Sequence, residues 1–186
     1  WNPGSSVFAL KIYYTLGIEN PEAIKSASTY IQSFFHQDGL IYDDFIYKKG
    51  RPRAFLSGIK HHSLENIFNQ KYKIAETRQC YSALMLHDQL PKQLLKISIP
   101  STEKEIDVYL NKLNWQQPWD SGSHFSHLMF FLNLARQSNQ IDQETFENLS
   151  NCAISWVNRL QNANDGSWCN GNPSARFKVN GAMKIL

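Results

Sequence analysis

The sequence predicts an all-α protein built from stacked helical hairpins, and three observations support this fold class. The helical period of apolar residues dominates the 186-residue chain, which is long enough for one domain with a sizeable core. Helices that are apolar on nearly all sides alternate with amphipathic helices, as expected when each hairpin has an inner and an outer helix. The alternation typical of β-strands is confined to Leu40–Tyr47 and does not recur as a sheet would require.

The first hairpin is predicted over residues 5–36. Its first helix, 5–16, is apolar nearly all round, which predicts burial on most sides. Its second helix, 21–36, has Asn20 as N-cap and Pro21 at the first helical position, followed by a single apolar stripe. The second helix is therefore expected at the surface.

Two further hairpins are predicted over 76–113 and 122–161, and a fourth begins near residue 180. Thr102 and Glu105 have capping-box spacing, and Asp142 is a second candidate cap. The predicted helix bounds are 76–88, 102–113, 122–136 and 142–161. Each repeat then takes roughly 50 to 60 residues, which is typical of helical repeats. The whole chain, 1–186, is thus predicted to be a single domain or a fragment of one.

Residues 41–75 are too long for an ordinary connection and are interpreted as a long loop insertion. Basic residues and two histidines follow one another there without an acid between them: Lys48, Lys49, Arg51, Arg53, Lys60, His61 and His62. One interpretation is a solvated loop. The other is a basic entrance to the cavity that attracts an anionic substrate.

Composition excludes several classes of protein. The net charge of +3 is too modest to indicate a nucleic-acid binder, and no nucleic-acid partner is predicted. The three cysteines contain no C-x-x-C pair, which argues against a disulfide framework and a zinc ribbon. No apolar run approaches the roughly 20 residues that span a bilayer, so no transmembrane segment and a cytoplasmic location are expected.

One segment resembles the QW repeat of squalene-hopene and oxidosqualene cyclases. An aromatic and aliphatic helix ends in Gln161, followed by a short spacer and then Asp165-Gly166-Ser-Trp168. Gln37-Asp38-Gly39 after Tyr30 is similar to a degenerate copy, and Trp115-Gln-Gln-Pro-Trp119-Asp-Ser-Gly122 to a more distant one. The resemblance implies an α/α-toroid, as in terpenoid cyclases and prenyltransferase subunits. A closed ring would need more chain than these 186 residues, so missing residues or another subunit complete the ring, or it stays open.

The sequence departs from these families in two ways. The Asp-x-Asp-Asp acid motif of class II cyclases is absent, and Asp43-Asp44 is only an adjacent pair. The cysteines lack the Cys and His neighbours that hold zinc in prenyltransferases. No cofactor is therefore predicted, and zinc has no support from the sequence.

Candidate site residues lie at the starts of the inner helices, which hairpin stacking gathers on one rim. Asp120, His124 and His127 are candidates for acid–base catalysis, because the two histidines share one helix face and Asp120 can orient one of them. Glu76 is a candidate second carboxylate, and Arg78 with Lys184 are candidates for anion binding. The remaining candidate substrate-binding residues are Trp119, Trp168 and Asn180.

Structural roles stay open for the same residues. Asp120 can cap its helix while the histidines bond to neighbouring loops, and Glu76 with Arg78 can form an ion pair. The tryptophans can pack between helices.

The function expected is a toroid enzyme resembling the terpenoid cyclase and prenyltransferase superfamily. It would act on an apolar or sugar-like substrate with an anionic group, an isoprenoid or a saccharide. The alternatives are a polysaccharide lyase or glycosidase, and a non-catalytic helical-repeat interaction domain. An enzyme predicts that Asp120, His124 and Glu76 meet around one pocket, whereas an interaction domain predicts an exposed apolar groove.

Overall fold

The computed structural model describes residues 2–45, 48, 52, 55, 56, 59, 70–91 and 99–186. These residues form seven α-helices and no β-strand, which confirms the all-α prediction. Most of the predicted insertion at 41–75 lies outside the described residues, as does its basic patch apart from the exposed Lys48. None of the helices described is both long and apolar enough to cross a membrane.

The chain contacts divide the molecule into two compact units, Trp1–Ile97 (unit 1) and Ser98–Leu186 (unit 2). Unit 1 contains α1 (Pro3–Leu16), α2 (Pro21–Gln32) and α3 (Gln70–Met85). Unit 2 contains α4 (Glu103–Asn111), α5 (Pro118–Gln137), α6 (Gln143–Leu160) and α7 (Ala175–Ile185). The prediction that the chain is one toroid domain or a fragment of one stays a prediction.

The first two helices of unit 1 begin in the same way. The side chains of Asn2 and Asn20 accept hydrogen bonds from the N–H groups of Ser5 and Ala23, and a proline occupies the first helical turn. The predicted cap at Asn20 is therefore confirmed. α1 packs against both α2 and α3. The buried apolar residues on these helices include Val7, Leu10, Ile31, Cys80, Tyr81 and Leu84.

α1 is less buried than its composition predicts. Phe8, Ile12 and Leu16 are 69%, 52% and 67% exposed, although they lie on the helix predicted to be covered on most sides. They follow one another at intervals of four residues, so they form one continuous apolar stripe. The prediction for this helix was wrong because an apolar composition does not determine which side receives a neighbour.

Two helix ends in unit 1 differ from the predicted bounds. α2 ends at Gln32 instead of residue 36, because Phe34–Ile41 turns back on itself and Phe35 pairs with Ile41 in an isolated β-bridge. α3 spans Gln70–Met85 instead of 76–88, so Glu76 lies in its second turn rather than at its start.

Unit 2 confirms its two predicted caps. Thr102 accepts a hydrogen bond from the Glu105 N–H at 3.2 Å, and Asp142 accepts one from the Thr145 N–H at 2.7 Å. The Glu105 carboxylate also accepts from the N–H of Ser101 at 2.7 Å, which holds its pKa below the usual value. α4 packs on α6, and α5 packs on α6 and α7. The core they enclose consists of Ile106, Leu110, Trp115, Phe125, Leu128, Leu132, Leu149, Ala153 and Val157.

The two inner helices of unit 2 start earlier than predicted. α5 begins at Pro118 instead of residue 122, because proline suits the first turn of a helix, where its missing N–H is not needed. α7 begins at Ala175 instead of near Asn180. Asp120 therefore lies in the first turn of α5, and Asn180 lies in the middle of α7.

α5 and α7 cross at two glycines. A Cβ built at Gly181 would lie 2.6 Å from the Cβ of Pro118 and 2.9 Å from its carbonyl carbon and oxygen. A Cβ at Gly122 would lie 2.9 Å from the Gly181 carbonyl oxygen. Only glycine permits this approach, and the helix pair is the most extensive of those described.

Candidate functional site

Two of the three QW-like segments form the same type of hairpin. In each, the aspartate before the glycine accepts a hydrogen bond at 3.0 Å from an N–H two residues later: Asp38 from Leu40, and Asp165 from Ser167. Gly39 and Gly166 have φ angles of 82° and 69°, in the left-handed region that favours glycine. Both hairpins close with an isolated bridge, Phe35 with Ile41 and Gln161 with Trp168.

The glutamine of the best QW-like copy stabilises its hairpin. The Gln161 side-chain amide donates to the Gly166 carbonyl at 3.1 Å, and the Asn162 N–H donates to Ser167 at 2.8 Å. Lys178 of α7 donates to the Asp165 carboxylate at 2.8 Å, which ties the hairpin to the following helix. This hydrogen bond holds the pKa of Asp165 well below its usual value, with a further contribution from Ser167.

The third copy has a different geometry. Trp115 is buried, and its indole N–H donates to the carbonyl of Leu110 at 2.9 Å. The chain then enters α5 through Pro118 without a bridge of the kind found in the other two copies. This segment joins α4 to α5 and supports the core of unit 2.

A group of polar side chains on α1, on α3 and on the segment after α2 of unit 1 is here called the Glu76 cluster: Lys11, Asp43, Glu76, Arg78 and Gln79. The Glu76 carboxylate is half-buried and accepts a hydrogen bond from the Asp43 N–H at 3.2 Å. Burial raises the pKa of Glu76, and the charge of Asp43 adds to this rise. The hydrogen bond from Asp43 acts in the opposite direction but does not cancel the effect of burial.

Two cations belong to the same cluster. Burial lowers the pKa of Arg78, and burial together with the nearby charge of Arg78 lowers the pKa of Lys11. The Lys11 ammonium donates to the side-chain carbonyl of Gln79. Next to them, burial raises the pKa of the Cys80 thiol to about 12, with Glu76 contributing, so Cys80 is not a nucleophile at neutral pH.

The predicted acid–base residues of unit 2 lie along one side of α5. Asp120, His124 and His127 are half-buried, and the two imidazole rings are 6.2 Å apart in an edge-to-face arrangement. The Tyr109 hydroxyl of α4 donates to the His124 carbonyl at 3.4 Å. Burial raises the pKa of Tyr109 to about 12, and the charge of Asp120 contributes, which places the phenol close to this carboxylate.

The predicted binding residues of unit 2 separate into two places. The Lys184 ammonium lies 5.0 Å from the ring centre of Trp119, a cation–π contact between α7 and α5. Asn180 is half-buried on α7, one turn before Lys184. Trp168 instead packs against the core of unit 2, and in the described part of the chain its buried indole N–H has no hydrogen-bond partner.

The predicted catalytic residues are thus divided between the two units. Glu76 and Arg78 belong to unit 1, whereas Asp120, His124 and His127 belong to unit 2. That the two groups share one cavity stays a prediction. Among the described residues, no group of three His, Cys, Asp or Glu side chains could hold a metal ion.

Sequence reasoning missed two members of these groups. Lys11 is the only charged residue of α1, and a single lysine on an otherwise apolar helix was the signal that could have identified it. Tyr109 lies next to the buried Leu110 on α4, and nothing in its spacing along the chain indicates the position of its hydroxyl.

Comparisons of the chain with protein-family models, curated proteins and solved structures gave no match. The resemblance to terpenoid cyclases therefore depends on the QW-like segments alone.

Proposed function

We propose that this chain is part of an enzyme that uses general acid–base catalysis on a substrate with an anionic group. Lys11 and Arg78 bind the anionic group, and Glu76 is the general acid. The α/α-toroid resembling terpenoid cyclases and prenyltransferases belongs to this proposal, and the shared hairpin of two QW-like segments supports it. Asp120, His124 and His127 are the second acid–base group.

The raised pKa of Glu76 is the observation that carries the proposal. A carboxylate that serves only in an ion pair has a lowered pKa, whereas burial dominates at Glu76 and raises it. A general acid must retain its proton near the working pH, and a raised pKa is a shift in that direction. Carboxyls with shifted pKa values are concentrated at functional sites.

The two cations supply the reason for an anionic substrate. Burial lowers the pKa of Lys11, and the charge of Arg78 lowers it further, so two positive charges lie close together in a half-buried place. Placing two like charges there opposes folding, because the charges repel each other and both groups lose hydration. A phosphate or carboxylate between them would relieve the repulsion with charge-assisted hydrogen bonds.

A thermal-shift experiment tests the binding step. The probes are farnesyl diphosphate, pyrophosphate and hexagalacturonate, with farnesol as the uncharged comparison. A ligand present at about 100 times its Kd stabilises the folded protein by about 2.7 kcal/mol. Arg78→Gln should remove this shift, whereas Lys25→Gln, a matched change of an exposed lysine on α2, should retain it.

The outcomes separate the candidate substrates. A shift with farnesyl diphosphate supports the isoprenoid substrate, and a shift with hexagalacturonate supports a polysaccharide lyase or glycosidase. With the ligand identified, Glu76→Gln should keep binding and abolish turnover. A shift that survives Arg78→Gln would contradict the proposed site.

A non-catalytic interaction domain is the second candidate, and the exposed stripe on α1 favours it. Phe8, Ile12 and Leu16 form the kind of apolar surface that binds a partner protein. If none of the anionic probes shifts a cooperatively melting protein, this second function becomes the better one. Ile12→Ser should then weaken partner binding without lowering the Tm.

A further inference from the structure

A cavity of about 470 Å³ opens on unit 2, lined by the C-terminal parts of α4 and α6 and by residues that follow each helix. We call it the tryptophan cleft, and its lining is Asp107, Asn111, Leu113, Trp115, Trp156, Arg159, Leu160 and Asn170. Its volume is in the range of small-molecule sites. It shares no residue with the Glu76 cluster, so it is independent of the function proposed above.

Two tryptophans form the apolar part of the cleft. The rings of Trp115 and Trp156 have their centres 5.5 Å apart and are tilted by 32°. Trp115 is held in place by its hydrogen bond to Leu110, and the N–H of Asn170 donates to the Trp115 carbonyl at 3.0 Å. The half-buried Trp156 therefore lies against a fixed support. A rigid aromatic face of this kind can stack against the C–H face of a sugar ring.

The polar side chains of the cleft have cancelling charges. A guanidinium nitrogen of Arg159 lies 3.9 Å from an Asp107 carboxylate oxygen, and the two side chains are 67% and 51% exposed. Because the only charged lining residues form this opposite pair, the cleft has no net charge to attract an ionic ligand. Both groups remain accessible enough to bond to a ligand.

Asn111 adds hydrogen-bonding capacity that suits hydroxyl groups. Its side-chain nitrogen donates to the Asp107 carbonyl at 2.8 Å. A carboxamide has two donor hydrogens and an acceptor oxygen, so one such bond does not use its full capacity. Carboxylate, guanidinium and amide groups are planar and can bond to adjacent hydroxyls in pairs.

We propose that the tryptophan cleft binds a neutral saccharide. The sugar ring stacks on Trp156, and its hydroxyls bond to Asp107, Asn111 and Arg159. The absence of net charge distinguishes this ligand from the anionic group proposed for the Glu76 cluster.

NMR of the isotope-labelled full chain tests this proposal. The probes are neutral hexasaccharides of glucose in α and β linkage, of N-acetylglucosamine, of xylose and of mannose, with hexagalacturonate as the charged comparison. We expect at least one neutral probe to shift the Trp156 indole N–H signal in a saturable way. Trp156→Phe assigns this signal.

Variants locate the binding. Asn111→Ala and Arg159→Ala change exposed side chains and should each weaken binding by about tenfold through lost hydrogen bonds. Asn158→Ala alters an exposed neighbour on the same helix outside the cleft and should leave the Kd unchanged. Melting curves of all variants confirm that they are folded.

Three results would overturn the proposal. The first is a folded protein whose Trp156 signal no neutral probe moves. The second is binding that neither Asn111→Ala nor Arg159→Ala weakens, which would place the ligand elsewhere. The third is a Trp156 signal that hexagalacturonate shifts at lower concentration than any neutral probe, because the cancelling charges of the cleft do not favour an anion.

Discussion

Replacing Gly181 with alanine tests the close crossing of α5 and α7. The added Cβ would lie 2.6 Å from the Cβ of Pro118, whereas ordinary contact begins at 3.4 Å. The helices must therefore separate locally by about 0.8 Å. They have little freedom to do so, because two of the three obstructing atoms belong to the backbone of Pro118.

The magnitude follows from two opposing effects. Overpacking of this severity costs about 3 kcal/mol. Alanine recovers about 1 kcal/mol, because it favours a helix more than glycine does. We therefore expect Gly181→Ala to lower the free energy of unfolding by about 2 kcal/mol and the Tm by about 4 °C or more.

Urea and thermal unfolding followed by circular dichroism measure this change. Gly122→Ala should behave in the same way, since its Cβ would lie 2.9 Å from the Gly181 carbonyl oxygen. Val179→Ala is the control, because Val179 is exposed on the same helix and its replacement should change stability by less than about 0.5 kcal/mol. A higher Tm for Gly181→Ala would refute the crossing, since helix propensity alone would then decide the result.

Two ionisable residues carry further predictions, each with its own pH range. Burial raises the folded-state pKa of Glu76, so its stabilising contribution is present below the unfolded pKa of about 4.3 and is lost as the pH rises through the folded pKa. Glu76→Gln should therefore be more stable than the native chain at neutral pH and lose this advantage in acid. Urea unfolding at neutral and at acid pH measures the difference in stability between the two proteins. An equal difference at both pH values would contradict the prediction. The folded-state pKa of Asp165 is lowered, so its contribution is present above about pH 3.9 and is lost as the pH falls towards the folded pKa. Asp165→Asn should reduce this loss of stability in acid, because Lys178 then has no carboxylate to bind. Acid titration followed by circular dichroism measures the change. An acid transition identical to that of the native chain would contradict the prediction.

Features set by neighbours along the chain were predictable. The caps Asn20, Thr102 and Asp142 act on N–H groups three residues away, so the residue type and its spacing contain the whole interaction. The all-α class was predictable for a similar reason, because the helical period of apolar residues repeats along the chain.

Of the candidate site, the sequence supplied residue types but not their surroundings. Glu76 and Arg78 were selected as polar residues on an inner helix. Their shifted pKa values depend on burial in the folded unit and, for Glu76, on Asp43, which lies 33 residues away in the chain. The tryptophan cleft was not predicted at all, since Asp107, Trp156 and Arg159 come from two helices that meet only in the folded unit.

The sequence by itself therefore determined the helical class, the caps at Asn20, Thr102 and Asp142, and the residues that can turn the chain at Gly39 and Gly166. These outcomes depend on backbone geometry and hydrogen bonds that reach only a few residues. Tertiary structure alone decided that α2 stops at Gln32 and that a hairpin follows it. The Tyr81 hydroxyl, 42 residues away in the chain, donates to the Gly39 carbonyl of that hairpin at 2.9 Å. Tertiary structure also decided which side of α1 is covered, because burial and charge–charge effects depend on which surfaces meet in space.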